Sequence, residues 1–438
     1  MKLISKRIGV AILPALLLTA GAIAMAAEMP AVVHKPSVEV RSAPDFKAGK
    51  IAVLQRNAAV KIVDQNGLWY RLQLADGGSG YVRINEVRVA SAGAETPAAN
   101  SQALFGGNSG QGRSTETASV RGINETTLRT ARNDAAGLSK LQAYSVSAET
   151  AGAHARSKGW QPVRIAWGPD AAAARGSGGQ ATQAEKRATL SSARGLLSRL
   201  GGGAIADSAM RVADRAVGKS EQELAAEELE LGPAIAGRVL GAAPLWANPE
   251  AQKRINLVGR WVASQTSRPQ LPWTFGVIDD GEINAYAAPG GYILVTRGMY
   301  DLLDDDAELA AVIAHELGHV VQRDHYEVIR KQEIAKVGKD VAMAQVRPHG
   351  IAADFARDYV NTHGAAVMMS SLDRDAEYRA DEAAGVYLAR AGFDPLSFYA
   401  VLQKMAALGT RPARMSQLYR THPPLEARMD RLDQRVRR

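Results

Sequence analysis

The stretch DDAELAAVIAHELGHVVQ, residues 305–322, decides the fold of the C-terminal part of this 438-residue chain. Asp305 is a suitable N-cap, and Glu308 three residues later completes the capping-box pattern that opens a helix. Apolar residues then recur at spacings of three and four, which is typical of a helix with one buried face; they are Leu309, Val312, Ile313 and Val320. The sequence therefore predicts an amphipathic helix that packs against a core.

Two histidines of this helix, His315 and His319, form a His-Glu-x-x-His motif with Glu316. Residues four apart lie on one helix face, so both imidazoles can bind one metal ion at about 2.0–2.1 Å. Glu316 is rotated by about 100° and can reach the water that the metal activates without binding the ion. Two unrelated histidines on a surface helix are the alternative, but burying unpaired His and Glu between the apolar flanks would be costly. The motif therefore favours a catalytic metal site.

A catalytic zinc needs a third protein ligand, and the first candidate is His325. It stands where metzincins have their third histidine. That class, however, needs a glycine at 322 for a sharp turn, and this chain has Gln322. The helix is predicted to continue through Asp324 and Tyr326, so that His325 points away, at the surface or in an outer shell of the site.

The second candidate is Glu377, on a predicted helix that Ser371 can cap and Gly392 can end. Asp381 lies one turn later and could accept a hydrogen bond from a ligand imidazole. Small residues on this helix would allow close packing of a second helix; they are Ala380, Ala383 and Ala384. The alternative is a charged face in solvent, and spacing alone does not decide between the two.

Four segments, taken in order, resemble the Ste24/HtpX/Oma1 family of gluzincin metallopeptidases. They are NAYAAPGGYI at 284–293, HELGH at 315–319, EYRAD at 377–381 and THPP at 421–424, the last followed by Arg428. The resemblance covers about residues 221–432. It is strongest to the soluble periplasmic BepA-like branch, although BepA-like proteins carry C-terminal helical repeats where this chain has an N-terminal module.

The resemblance implies one zinc ion (Zn2+) per chain, bound by His315, His319 and Glu377, with Glu316 as the general base. Asp381 would support a ligand imidazole from the second shell.

It also implies that His422 and Arg428 lie near the cleft, where they would stabilise the oxyanion or gate the metal. Capping beside two prolines is the alternative for His422. An extended substrate would pair by β-addition with the strand at 284–287, formed by Asn284, Ala285, Tyr286 and Ala287. A strand with no role in substrate binding is the alternative.

Short runs of alternating apolar and polar residues fill the region 37–89, and turn signals such as Asn66-Gly67 separate them. They predict strands at 50–54, 60–63, 69–74 and 80–83 in a small barrel or sandwich. The pattern, with Trp69 at its centre, resembles a bacterial SH3-like domain. Such a domain could bind cell-wall material or a protein partner, or it could be a packing or spacer domain in which Trp69 belongs to the core.

The predicted organisation begins with a signal peptide at 1–27, because Lys2, Lys6 and Arg7 precede an apolar run and a small-x-small cleavage pattern. An uncleaved anchor is the rival, since the run approaches the length of a membrane span. Then follow an SH3-like domain at 28–92, a linker at 93–120, a short helical segment at 121–166, a linker at 167–185 and a metallopeptidase domain at 186–438. The predicted fold class is multidomain: a small all-β SH3-like barrel followed by a mainly α zincin-type domain with a small β-sheet.

In that last domain, apolar periodicity predicts helices at 186–200, 221–240 and 252–262. Strands are predicted at 273–278, 284–287 and 292–297.

The composition excludes several classes of function. Cysteine is absent, so disulfides, thiolate metal sites and a catalytic thiol are excluded. The net charge of +8 is diffuse, which indicates peripheral attraction to anionic envelope surfaces. The sequence shows no nucleic-acid-binding motif.

The leading hypothesis is a periplasmic zinc endopeptidase that acts on proteins of the cell envelope in protein quality control. An envelope binding or chaperone-like protein with a latent peptidase domain is the alternative, and a peptidoglycan hydrolase is a third.

Overall fold

The computed structural model describes residues 28–90, 123–165, 221–329, 331, 372–409 and 415–435. The predicted signal peptide, both predicted linkers, the predicted helix at 186–200 and the expected cap Ser371 lie outside these residues. In the part of the chain that is described, no helix combines the length and apolarity needed to span a bilayer.

The N-terminal region is a curled antiparallel sheet of seven strands in the order β3-β2-β6-β5-β4-β1-β7. Its strands are β1 (Met29–Val33), β2 (Ser37–Arg41), β3 (Lys50–Gln55), β4 (Ala59–Asn66), β5 (Trp69–Gln73), β6 (Ser79–Arg83) and β7 (Val87–Val89). The register shifts once in β2, between Val40 and Arg41, and once in β4, between Ile62 and Asp64. Such irregularities bend strands, and they let the sheet close around buried side chains such as Ile62 and Leu72. The four predicted strands correspond to β3–β6, and the all-β fold is confirmed.

Three short helices follow: α1 (Glu125–Thr130), α2 (Ala135–Ala143) and α3 (Ala148–Ser157). Each has a side-chain N-cap, provided by Asn124, Asp134 and Ser147 respectively. They pack on the C-terminal domain, where the amide of Asp134 donates to the carbonyl of Gly237 at 2.8 Å. The buried Leu141 lies so close to Gly276 that a Cβ at 276 would be 2.4 Å from it. The segment 123–165 is therefore part of the packing of that domain.

The C-terminal domain opens with α4 (Glu221–Ala242) and α5 (Pro249–Ala263), which precede a three-stranded sheet. Its strands are β8 (Thr274–Ile278), β9 (Ala285–Ala288) and β10 (Tyr292–Thr296). β10 lies in the centre, parallel to β8 and antiparallel to β9, so β9 is an edge strand. The short helix α6 (Arg297–Tyr300) then leads to the motif helix.

The motif helix, α7 (Asp306–Gln322), is packed against α8 (Arg374–Arg390) at very short range. A Cβ at Gly318 would be 3.0 Å from the Cα of Ala380, so a glycine is needed where the two helices meet. Asp305 caps α7 as predicted, but Glu308 reaches back to the amide of Asp304, one residue before the expected position.

Among the described residues, three further helices follow α8: α9 (Leu396–Ala407), α10 (Ser416–Thr421) and α11 (Leu425–Arg435). The helical and small-sheet parts of the fold prediction are therefore confirmed. The sequence suggested Ser371 as the cap of α8. The N-cap is Asp373, whose side chain accepts a hydrogen bond from the amide of Ala376.

Candidate active site

Three predicted ligand side chains meet between α7 and α8. His315 and His319 lie one turn apart on α7, with their Nε2 atoms 3.2 Å apart. From α8, Glu377 places one carboxylate oxygen 3.8 Å from His315 Nε2 and the other 3.7 Å from His319 Nε2. All three are almost completely buried. The close contact of the two helices thus brings residues distant in sequence around one point.

His315 is oriented by Asp381 and Arg428. Its Nδ1 lies 3.0 Å from Asp381 Oδ1, and Arg428 donates to both oxygens of that carboxylate at 3.0 and 2.6 Å. A hydrogen bond from Nδ1–H leaves the lone pair on Nε2 for a metal. Burial, with the charge of Arg428, lowers the pKa of His315 to about 3, so the ring is neutral. Arg428, expected near the cleft, is buried and holds Asp381 in place.

The chain after the motif helix does not follow the predicted helical course, and this difference gives His319 a hydrogen-bond partner. The helix α7 ends at Gln322, and Arg323 adopts a left-handed conformation with φ of 62°. The chain then turns, and Asp324 Oδ2 lies 2.8 Å from His319 Nδ1. Arg323 Nε donates to Glu228 on α4 at 2.9 Å. A residue distant in sequence thus helps to fix a conformation that local spacing does not predict.

His325 is consequently not on the surface. It is 8% exposed, and its ring centroid is 5.8 Å from that of His319. It does not belong to the group of residues whose ligand atoms converge. Of the two predicted positions for His325, the one at the surface is wrong, because the helix breaks before this residue. Its place next to His319 agrees with the other, an outer shell of the site.

Two supporting residues were missed at the sequence level, Asp324 and Phe398. The Phe398 ring from α9 stacks on His315 at a centroid distance of 5.6 Å and an interplanar angle of 17°. The segment Arg323-Asp324-His325 has no glycine or proline, and Phe398 is one of many apolar residues in its helix. No local signal could have identified either residue.

His422 provides a fourth side chain at the same point. Its Nε2 is 3.5 Å from Glu377 Oε2. Ligand atoms of His315, His319, Glu377 and His422 all lie within 4.8 Å of one another.

The donor set fits zinc. Imidazole and carboxylate are ligands that zinc accepts, and Oε2 of Glu377 is buried without a hydrogen-bond partner among the described residues. Burial raises the pKa of Glu377 to about 7. A buried carboxylate oxygen with an unused lone pair next to imidazole nitrogens is what a bound cation would satisfy.

Glu316 faces a cleft between α7 and β9. The cleft is bordered by Glu316, His319, Glu377 and His422 and, on the opposite side, by Asn284, Ala285, Tyr286 and Ala287. Burial raises the pKa of Glu316, with His319 and Arg428 acting in the opposite direction. The structure therefore places the predicted substrate strand and the predicted base on two sides of one cleft.

Comparison with known proteins agrees with the interpretation of these residues as the metal site of a peptidase. Residues 249–436 match the model of peptidase family M48, and residues 36–86 match that of the bacterial SH3 domain. The beta-barrel assembly-enhancing protease of Escherichia coli (strain K12) is 28% identical over 232 residues, which are 52% of this chain and 47% of that protein.

Two further relatives are similar over shorter stretches. The mitochondrial metalloendopeptidase OMA1 of Arabidopsis thaliana is 33% identical over 139 residues, covering 32% of this chain and 27% of that protein. Metalloprotease LoiP of Escherichia coli (strain K12) is 26% identical over 190 residues, covering 43% and 72%. The chain spans about half the length of the assembly-enhancing proteases that it matches. The resemblance found in the sequence is confirmed: the C-terminal domain belongs to peptidase family M48, and a bacterial SH3 domain precedes it.

Proposed function

We propose that this protein is a zinc-dependent metalloendopeptidase that hydrolyses peptide bonds in proteins of the cell envelope. One observation carries the proposal. A buried His-His-Glu donor set contains a carboxylate oxygen with no hydrogen-bond partner among the described residues, and it lies beside a buried glutamate that faces a cleft. The names of the three relatives, a protease, a metalloendopeptidase and a metalloprotease, support it.

The side chains divide the chemical work between them. Zinc held by His315, His319 and Glu377 would supply a Lewis acid that activates water and polarises the scissile carbonyl. Glu316 accepts the proton of the attacking water and returns it to the leaving amine. Burial raises the pKa of Glu316, so its carboxylate is a stronger base than one in solvent.

Substrate binding is proposed along β9. This strand is at the edge of its sheet, and residues 284–287 border the cleft that contains Glu316. An extended peptide can add to such an edge through main-chain hydrogen bonds. Recognition of this kind is largely independent of side chains and suits a protease that acts on unfolded or misassembled proteins.

Export to the periplasm and a role in protein quality control complete the proposal. The N-terminal pattern of a signal peptide supports export. The name of the Escherichia coli relative, beta-barrel assembly-enhancing protease, supports a role in protein quality control. The SH3 domain is proposed to contact an envelope partner.

The test is Glu316→Gln in the full chain, with zinc content and cleavage of an unfolded model protein such as casein as readouts. We expect about one zinc per chain and no measurable cleavage, because the amide cannot accept a proton. Glu250→Gln, on the exposed side of α5, is the matched control and should behave as the wild type. Cleavage retained by Glu316→Gln would refute the assigned role of this residue.

The position of His422 favours one further element, a latent state. A catalytic zinc site keeps one position open, whereas His422 adds a fourth donor to the three ligands. We therefore propose that His422 gates the metal and must withdraw before substrate binds.

His422→Ala separates gating from oxyanion stabilisation. Gating predicts a rise in casein cleavage with zinc retained. Oxyanion stabilisation predicts a loss of about 100-fold or more in turnover with the same zinc content, and this result would overturn the gating role.

A further inference from the structure

The SH3 domain is docked on helices α9 and α11 of the peptidase domain. Gln403 of α9 is fully buried at this interface. Its amide nitrogen donates to the carbonyls of Ile84 and Val87 at 3.0 and 2.6 Å, and its oxygen accepts from the amide of Val89 at 3.0 Å. One side chain thus satisfies three backbone groups at the end of the SH3 domain.

A cluster of charged side chains around the buried Asp433 makes a second contact between the same elements. Asp433 of α11 accepts hydrogen bonds from Lys35 and, at 2.8 Å, from Arg88. Arg88 also donates to Asp430 at 2.9 Å, and its guanidinium lies 5.1 Å from the ring centroid of Tyr399 on α9. The side chain of Asp433 is only 6% exposed. Separation of the two domains would leave this carboxylate without its cationic partners.

The same two helices support the candidate metal site. From α9, Phe398 stacks on His315. From α11, Arg428 binds Asp381, and its guanidinium lies 5.4 Å from the ring centroid of Phe398. Phe398 lies little more than one helical turn from Gln403, and Arg428 a similar distance from Asp433. Each helix therefore contacts the SH3 domain at one point and the support of His315 at another.

We infer that the SH3 domain is a positioning element of the metal site: by clamping α9 and α11 through Gln403 and Arg88, it holds Phe398 and Arg428 against His315. The inference rests on the proposed function, since it concerns a zinc ligand. It assigns Gln403 and Arg88 as positioning residues, which act on His315 through Phe398 and Arg428. It also means that a ligand that pulled the SH3 domain away from α9 and α11 would weaken the metal site.

The test uses the full chain with Arg88→Glu, which turns an ion pair into a repulsion, and Gln403→Leu, which leaves three backbone groups unpaired. Arg88→Lys keeps the charge and serves as the conservative rescue. Gln55→Leu, at an exposed position of β3, is the matched control. Hydrogen exchange of β7 and α11 reports docking. Zinc affinity by competition with a chromophoric chelator, and the visible spectrum of the cobalt-loaded protein, report the geometry of the site.

We expect Arg88→Glu and Gln403→Leu each to lose exchange protection in β7, to bind zinc about tenfold more weakly and to change the cobalt spectrum. Arg88→Lys and Gln55→Leu should resemble the wild type. If exchange protection in β7 is lost while zinc affinity and the cobalt spectrum stay unchanged, the inference is overturned and the proposed function is not. Protection retained in the double variant Arg88→Glu/Gln403→Leu overturns the assignment of these residues. A wild type that takes up no zinc overturns the proposed function, and the inference with it.

Discussion

Replacement of Asp381 by asparagine removes a negative charge beside His315 and leaves the shape of the side chain almost unchanged. In the structure, Asp381 accepts from His315 Nδ1 and binds Arg428 through two hydrogen bonds. Burial alone would raise the pKa of this carboxyl, but Arg428 and His315 hold it below its ordinary value, so the group is charged at neutral pH. The side-chain oxygen of asparagine can still accept one hydrogen bond. The negative charge that makes the imidazole a stronger zinc ligand is lost.

The expected magnitude has two parts. Loss of an outer-shell partner of a ligand histidine weakens metal binding by about 10–100-fold, which is about 1.4–2.7 kcal/mol of binding free energy. Breaking a buried ion pair also costs about 3–5 kcal/mol of folding stability, because Arg428 keeps its charge at 2% exposure. We therefore expect Asp381→Asn to bind zinc more weakly and to unfold at a lower temperature.

The assay is chelator competition at a temperature at which circular dichroism shows the variant to be folded. Asp375→Asn is the matched control, because it makes the same substitution on the exposed side of α8. It should change neither zinc affinity nor unfolding temperature. A folded Asp381→Asn protein with wild-type zinc affinity would refute the reasoning, since Asp381 would then have no influence on the ligand.

Two further predictions concern protons and packing. Burial raises the pKa of Glu377 to about 7, and Asp324 and Glu377, against the opposing effect of burial, raise that of His319 to about 9. Zinc must displace these protons, so zinc affinity should fall as the pH falls. We expect a loss of about tenfold per pH unit between pH 9 and 7, where one proton is displaced, and a steeper loss below pH 7. A chelator titration that is flat from pH 9 to 6 would contradict this. Gly318→Ala should cost about 1–3 kcal/mol by overpacking, since its Cβ would meet Ala380 at 3.0 Å. Gly385→Ala on α8 has its nearest neighbour at 4.0 Å and should be neutral or stabilising in urea unfolding; equal losses in both variants would exclude packing as the cause.

The helix that carries the motif could be predicted because its information is local. A cap, a period of three to four and two histidines one turn apart all lie within residues 305–322. The same holds for four strands of the SH3 domain, where alternation and turn residues suffice. The sequence also identified Glu377 and Asp381 as candidates, but their spacing is equally compatible with a metal site and with a charged face in solvent. The resemblance, not the periodicity, made that choice.

The parts that could not be predicted depend on contacts between distant residues. Arg323 adopts a left-handed conformation that is uncommon for a residue with a side chain, and its side chain is bound to Glu228 on another helix. The short strand β7 has only three residues, and its register is set by pairing with β1. In both cases the deciding partner is remote in sequence, so no window along the chain contains the signal.

The residues that form and support the candidate metal site come from several helices that are distant in sequence. The helix α7 alone supplies both imidazoles and Glu316, but the orientation of the imidazoles comes from elsewhere. Asp324 sets His319 only because α7 ends at Gln322 and Arg323 is left-handed, and Asp381 sets His315 only with Arg428 from α11. A chain with the same motif but without these C-terminal helices would keep two histidines on one helix face and lose the contacts that fix their donor nitrogens. The chemistry therefore depends on the packed arrangement of α7, α8, α9 and α11 as much as on the motif.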